Sequence, residues 1–309
     1  MSLMRQAVKE LQHREHWAPI DAVLFPGGYF RSATFVGNFP HAERVGLLEG
    51  APFVHAAVEM CRTRLDELAP GAALVFGVDT DHPSSKLHGD HLAVACTSGG
   101  IVAIGRKIFP TSKDTRRGRP CYVPADIDYS ESSRFLTLPN GSRALLFACY
   151  EAFGVVERPT AMSIRSYAVR RLFSQGRIVD GWDAEFVDLR RACLTAWQRR
   201  LERERPDVVL TAIHSFAQPG REGYWQRHGI ALASAALDGA LSVGAAHFRR
   251  ALPTGDGQAP LAAAGVPTDH LIQGCRRRMW RHYAIDSCPV FHRHAKRPDG
   301  VLRLYTIDA

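Results

Sequence analysis

Two side chains at the ends of apolar runs could do chemistry in this sequence. Cys149 lies in LFACYEAFG and Lys107 in IGRKIFP, each just where a hydrophobic stretch stops. In α/β proteins the C-terminal ends of strands face the crevice where ligands bind. A cysteine at a sharp strand-to-helix turn presents its sulfur, and the N-terminus of the following helix favours thiolate over thiol. A lysine ammonium on a neighbouring strand lowers the thiol pKa further and can hold negative charge on a tetrahedral intermediate. The backbone N–H of Tyr150 is a natural second oxyanion donor. A third run, DAVLFPGG, ends on Gly27 and Gly28, which carry no side chain at all. Singly, a buried cysteine is a small hydrophobe and a strand-end lysine merely reaches solvent. Only their combination points to a site.

The elements that must position these residues alternate along the chain. Residues 4–16 have helical spacing, with Val8 and Leu11 as the apolar stripe, and DAVLFP follows as a strand. GAPFVHAAVEMCRTRLDELAPG reads as a helix with Pro52 in its first turn and Gly71 beyond its end. AALVFGVDT and HLAVACT are strands, and SGG is a tight turn into a third, IVAIGRKIF. SRALLFACYEAFG is an apolar strand running into a helix start. Residues 186–204 have helical spacing, PDVVLTAIHS is a strand, YWQRHGIALASAAL a helix, ALSVGAAHF a strand, and GVLRLYTIDA a terminal strand. Several strands are apolar on both faces, which implies α/β layers with helices covering buried sheets. No linker divides the 309 residues, so the expectation is a single domain over residues 1–309.

Composition narrows the class. The chain is 46% hydrophobic and 23% charged, ordinary for a globular protein. Seven cysteines, an odd number with no C-x-x-C pair, argue against a disulfide framework and for a reducing, cytoplasmic setting. The most apolar window, IALASAALDGALSVGAAHF, is interrupted by Asp238 and Gly239 and does not span a membrane. The net charge of +8 comes from arginine clusters such as CRRRMWRH. Those clusters lack an RNP, zinc-finger or helix-turn-helix pattern, so they read as solvated surface rather than a nucleic-acid interface.

Taken in order, these segments resemble the nitrilase superfamily of carbon–nitrogen hydrolases along most of the chain. GRKIFP is similar to the family's lysine segment and supplies Lys107. LFACYEAFG is similar to its nucleophile motif and supplies Cys149, Tyr150 and Glu151. LVFGVDTD and HLAVACTSGGIVAIGRK resemble the paired strands before the lysine. DVVLTAIHS, with the helix and strand after it, resembles the segment following the nucleophile, and Asp238-Gly239 stands at that region's Glu-Asn pair. Trp225 matches an aromatic near the start of that helix. The resemblance implies a four-layer α-β-β-α sandwich, with an insertion around residues 155–185. It implies C–N hydrolysis of a small amide, nitrile or carbamoyl substrate by a Cys nucleophile without a cofactor, in a homodimer or larger assembly. The family begins with a strand before its first helix, whereas this chain begins near that helix.

LFPGG occupies the place of the family's Phe-Pro-Glu, so Gly27 stands where the general base belongs. Removing a positioned base typically costs about 10²–10⁴-fold in rate. Three readings follow. In the first, turnover continues with a substitute base. His214, at the end of VVLTAIH, is the candidate, because Cys–His pairing activates thiols. Tyr150, Gly27, Glu151 and Trp225 then line the substrate site. In the second, the chain has lost hydrolysis and binds a small ligand or a protein partner. In the third, Asp79, Asp81, His82, His88, Asp90 and His91 of DTDHPSSKLHGDH, or His292 and His294 of FHRH, hold a metal such as zinc. The spacing matches no known site and a solvated loop is the plainer expectation, so no metal is assigned.

Overall fold

The computed structural model describes residues 2–13, 20–37, 39–84, 89–107, 121–122, 132–149, 151, 171–174, 177–180, 184–215, 229–230, 233–234, 237, 240–247, 270–273, 285–290 and 300–305. Its helices are α1 (Ser2–Gln12), α2 (His41–Glu49), α3 (Pro52–Met60) and α4 (Ala184–Glu204). Pro52 opens α3 after an extended Ala51, where its missing N–H costs nothing. The helix then widens into a π-turn, Cys61–Leu65, and runs out shortly before Gly71, whose φ of +80° suits a residue without Cβ.

Two open mixed sheets carry most of the strands. The first contains β1 (Ala22–Leu24), β2 (Phe30–Ser32), β3 (Ala73–Thr80), β4 (His91–Thr97) and β5 (Gly100–Arg106). Its path is β1-β3-β4-β5, with β2 also on β3; β1 and β2 run parallel to β3, and the rest is antiparallel. A two-residue strand, β6 (Cys121–Tyr122), belongs elsewhere. The second sheet begins with β7 (Phe135–Thr137) and β8 (Arg143–Ala148). β9 (Arg171–Ser174) and β10 (Arg177–Asp180) pair with each other, and β9 with β6. This hairpin falls inside the expected insertion. β11 (Val208–Ser215), β12 (Leu241–His247) and β13 (His270–Gln273) complete the second sheet in the order β13-β12-β11-β8-β7. β14 (Ile285–Val290) and β15 (Gly300–Tyr305) form an antiparallel pair.

The alternation of side-chain size along the strands explains how the sheets meet. Successive residues of a strand point to opposite faces. On β3 and β4 the larger members Leu74, Phe76, Val78, Leu92 and Val94 pack with Met4, Val8, Val54 and Met60 from α1 and α3. The opposite parity holds small residues, Ala73, Val75, Ala93 and Ala95. They share a second core with Ala144, Leu146 and Ala148 of β8 and Val208, Leu210 and Ala212 of β11. The two sheets therefore contribute one face each to a common interior of mostly small side chains. On the other face of β8, Phe147 meets the fully buried Trp197 of α4, ring centroids 6.0 Å apart.

Glycine brings backbone from one sheet close to the other. A Cβ on Gly105 of β5 would stand 2.7 Å from the carbonyl oxygen of Leu146 on β8. A Cβ on Gly77 of β3 would lie 2.3 Å from the Cα of Gly27. No described helix is long and apolar enough to cross a membrane.

Candidate active site

Period two, continued past the small-residue core, sends polar side chains to one edge of it. Asp79 follows Ala73, Val75 and Gly77; His91 precedes Ala93 and Ala95; Lys107 follows Ala103 and Gly105; His214 follows Val208, Leu210 and Ala212. Asp79 and His91 are direct partners across the β3–β4 ladder. The Lys107 N–H extends the β4–β5 ladder by donating to the His91 carbonyl at 2.9 Å. Sheet geometry thus gathers residues that lie far apart in sequence.

Cys149 closes this edge from β8. Its φ of 55° places it in the left-handed region, which a non-glycine residue enters at a cost of about 1–3 kcal/mol unless its surroundings enforce it. Glu151 supplies part of that enforcement, accepting the Ala148 N–H at 2.7 Å across the turn. The other oxygen of Glu151 accepts from Arg134 Nη1 at 3.0 Å, and both side chains are 1% exposed. Arg134 Nη2 in turn donates to the Arg106 carbonyl at 2.6 Å, and its guanidinium lies 4.7 Å from the Trp197 ring centroid. One buried arginine therefore ties the cysteine turn to the strand end that carries Lys107. Lys107 itself is buried, and its charge helps hold Asp79 ionised.

Gly27 and Gly28 do not leave a hole. The Gly27 N–H donates to the Ile213 carbonyl at 3.0 Å, so the turn after β1 is laced to β11. A Cβ on Gly27 would meet the Ala212 carbonyl oxygen at 2.6 Å and His214 Nδ1 at 2.8 Å. One on Gly28, where φ is +61°, would meet an Asp79 carboxylate oxygen and the His214 ring, each at 2.9 Å. The His214 imidazole lies directly over this glycine turn, so no side chain fits at position 27.

His214 Nε2 and Asp79 Oδ1 are 2.7 Å apart, an ion pair when the imidazole is protonated. The ring also packs against His91, centroids 4.5 Å apart. Burial opposes the imidazolium charge most strongly. The hydrogen bond to Asp79, the hydrogen bond and charge of Cys149, and the charge of Asp79 outweigh it, raising the His214 pKa to about 10. Asp79 moves the other way: burial would raise it, but the His214 hydrogen bond and the charges of His91, His214 and Lys107 hold its pKa below the usual carboxylate value. Asp79 and His214 thus form a hydrogen-bonded carboxylate–imidazole pair on which Cys149 bears, while His214 Nδ1, buried against the glycine turn, has no hydrogen-bond partner among the described residues.

Cys149, 4% exposed, is buried like Cys61 and Cys96; what distinguishes it is the imidazole beside it. Burial pushes the thiol of Cys61 up to about 12 and that of Cys96 higher still, so both stay protonated.

Of the residues expected at the site, Cys149 and His214 interact, and Lys107 and Gly27 border the same edge. Glu151 is beside Cys149, and its two oxygens accept from Arg134 and Ala148. Tyr150, Trp225 and the helix expected after Cys149 lie outside the described residues. In the sequence Asp79 reads only as a metal-ligand candidate; its pairing with His214 joins residues 135 apart on two different strands. The remaining loop acids have other partners. Asp90 is buried against Arg106 and accepts the Val36 and Gly37 N–H groups at 3.2 and 3.0 Å. Asp81 pairs with exposed Arg31 at 2.6 Å, and His82 Nδ1 accepts the Ser84 N–H at 2.8 Å. His88, His292 and His294 lie outside the described residues. No protein-family model matches this chain, and no curated protein does either.

Proposed function

We propose that the protein is a thiol-dependent hydrolase of carbon–nitrogen bonds on a nitrilase-like α-β-β-α sandwich. In this reading Cys149, His214 and Asp79, with Lys107, replace the Glu-Lys-Cys triad of that family. One observation carries it: His214 Nε2 is bonded to Asp79 at 2.7 Å, and Cys149, in a left-handed turn at the end of β8, helps to raise the pKa of that imidazole. The layering supports the sandwich, with α1 and α3 over the outer face of the first sheet and α4 against Phe147 of the second. The small-residue core between the sheets supports it further. The expected homodimer and small amide-like substrate belong to the same reading.

The chemistry follows from the charges. The Cys149 thiolate attacks the carbonyl carbon of an amide, forming a C–S bond as the carbonyl π electrons pass to oxygen. The Lys107 ammonium faces that developing oxyanion. When the intermediate collapses, the C–N bond breaks and the His214 imidazolium gives its proton to the departing nitrogen. The thioester carries no sulfur charge, so His214 has lost two of the influences that held its proton. It then accepts a proton from water as the water oxygen attacks the thioester. Expulsion of the thiolate releases the acid and restores the thiolate–imidazolium pair. Asp79 orients the ring while Nε2 carries its proton, a positioning role.

A panel of primary amides, nitriles and carbamoyl compounds should give at least one product that requires Cys149 and His214. An acyl adduct on Cys149 should be detectable by mass spectrometry. Products formed equally by Cys149→Ala, or none across the panel, would overturn the reading.

A further inference from the structure

Asp79, His91 and His214 also form a grouping with a different competence. Each offers one ligand atom, and the three atoms lie within 4.8 Å of one another. We infer that they constitute a binding site for one divalent transition-metal ion of the zinc class at the open edge of the inter-sheet core. This inference stands apart from the hydrolase reading.

Rigid elements hold the three ligands. Asp79 and His91 are paired across β3 and β4, and His214 approaches from β11 of the other sheet. A tetrahedral ion with bonds near 2.05 Å sets its ligands about 3.3 Å apart. His214 Nε2 and Asp79 Oδ1 are already at 2.7 Å, and the two imidazole rings pack at 4.5 Å. A cation there takes the place of the proton that His214 and Asp79 share, as ligand atoms now within 4.8 Å of one another adjust toward that spacing. The side chains of His214 and Asp79 are 28% and 34% exposed, so an ion can reach them. Two imidazoles and one carboxylate suit zinc, cobalt or ferrous iron rather than magnesium or calcium, which prefer all-oxygen shells. Three protein ligands leave a coordination position open. The Lys107 charge near Asp79 opposes binding, and the negative charge of an ionised Cys149 favours it.

The test begins with full-length protein freed of metal by chelator and dialysis, then titrated with Co²⁺. Visible d–d absorption should saturate at one equivalent and be abolished by Zn²⁺. The same titration of Cys149→Ala should still saturate, because the thiol is not among the three ligands. His91→Gln, with its fold checked by far-ultraviolet circular dichroism, should bind at least about tenfold more weakly. Absence of saturable binding to the wild-type chain, binding lost in Cys149→Ala, or undiminished binding by a folded His91→Gln would each overturn the inference. The hydrolase reading is scored separately, by amide turnover in excess chelator.

Discussion

Replacing Gly27 with alanine tests the central packing claim, that the His214 imidazole rests on a bare backbone turn. The added carbon would stand 2.6 Å from the Ala212 carbonyl oxygen, 2.8 Å from His214 Nδ1 and 2.9 Å from the His214 backbone nitrogen. Two of those three atoms belong to the backbone of β11, an interior strand paired on both sides, and cannot retreat cheaply. Overpacking of this kind costs about 1–3 kcal/mol. If the ring swings away instead, its hydrogen bond to Asp79 is lost, and bonds to charged groups contribute about 1.5–3 kcal/mol. Either route gives a destabilisation of about 1–3 kcal/mol. For a chain of this length that lowers the melting temperature by about 2–5 °C. Scanning calorimetry should register the drop, and iodoacetamide labelling of Cys149 at pH 7 should slow in parallel. Gly46→Ala is the internal control: its Cβ meets nothing within 4 Å in the middle of α2, so it should stabilise by about 0.5–1 kcal/mol. A Gly27→Ala protein that melts and labels like the parent would refute the placement of His214.

Further substitutions separate the roles of the neighbours. His214→Asn should slow alkylation of Cys149 at neutral pH by up to about 30-fold, since a free thiol with a pKa near 8.5 is only about 3% ionised at pH 7; unchanged labelling would remove His214 from the mechanism. Asp79→Asn takes away both the hydrogen bond and the charge that Asp79 places on His214, so the imidazole pKa should fall from about 10. Proton NMR titration of the ring in both proteins would detect the change. Glu151→Gln breaks a buried pair with Arg134 and should cost about 3–5 kcal/mol in denaturant unfolding; Arg134→Met in the same chain should recover part of that loss.

Much of the site was legible because strands alternate. Cys149 and Lys107 stand out at the ends of apolar runs, and β3, β4, β8 and β11 all form where hydrophobic residues cluster. What eluded the sequence is which strand faces meet. Asp79 and His91 sit in a polar stretch that resembles a solvated loop, yet each continues the parity of a small-residue face. On β3 and β4 the signal was a size asymmetry: mostly alanine and glycine on one parity, leucine, valine and phenylalanine on the other. β11, which turns Val208, Leu210 and Ala212 to the interior, does not share it. Small residues mark the face where two sheets approach, and polar residues in phase with them must gather at its rim. Gly27 shows the limit of linear reading. In sequence it looks like a deleted carboxylate, and only tertiary packing reveals that an imidazole from a strand far along the chain takes up the space. Glu151 shows the converse, an acid that sits beside a nucleophile but is paired with a buried arginine and bonded to the Ala148 N–H. A residue's proximity to the thiol in sequence is therefore a weaker guide to its chemistry than its phase on the strand that carries it.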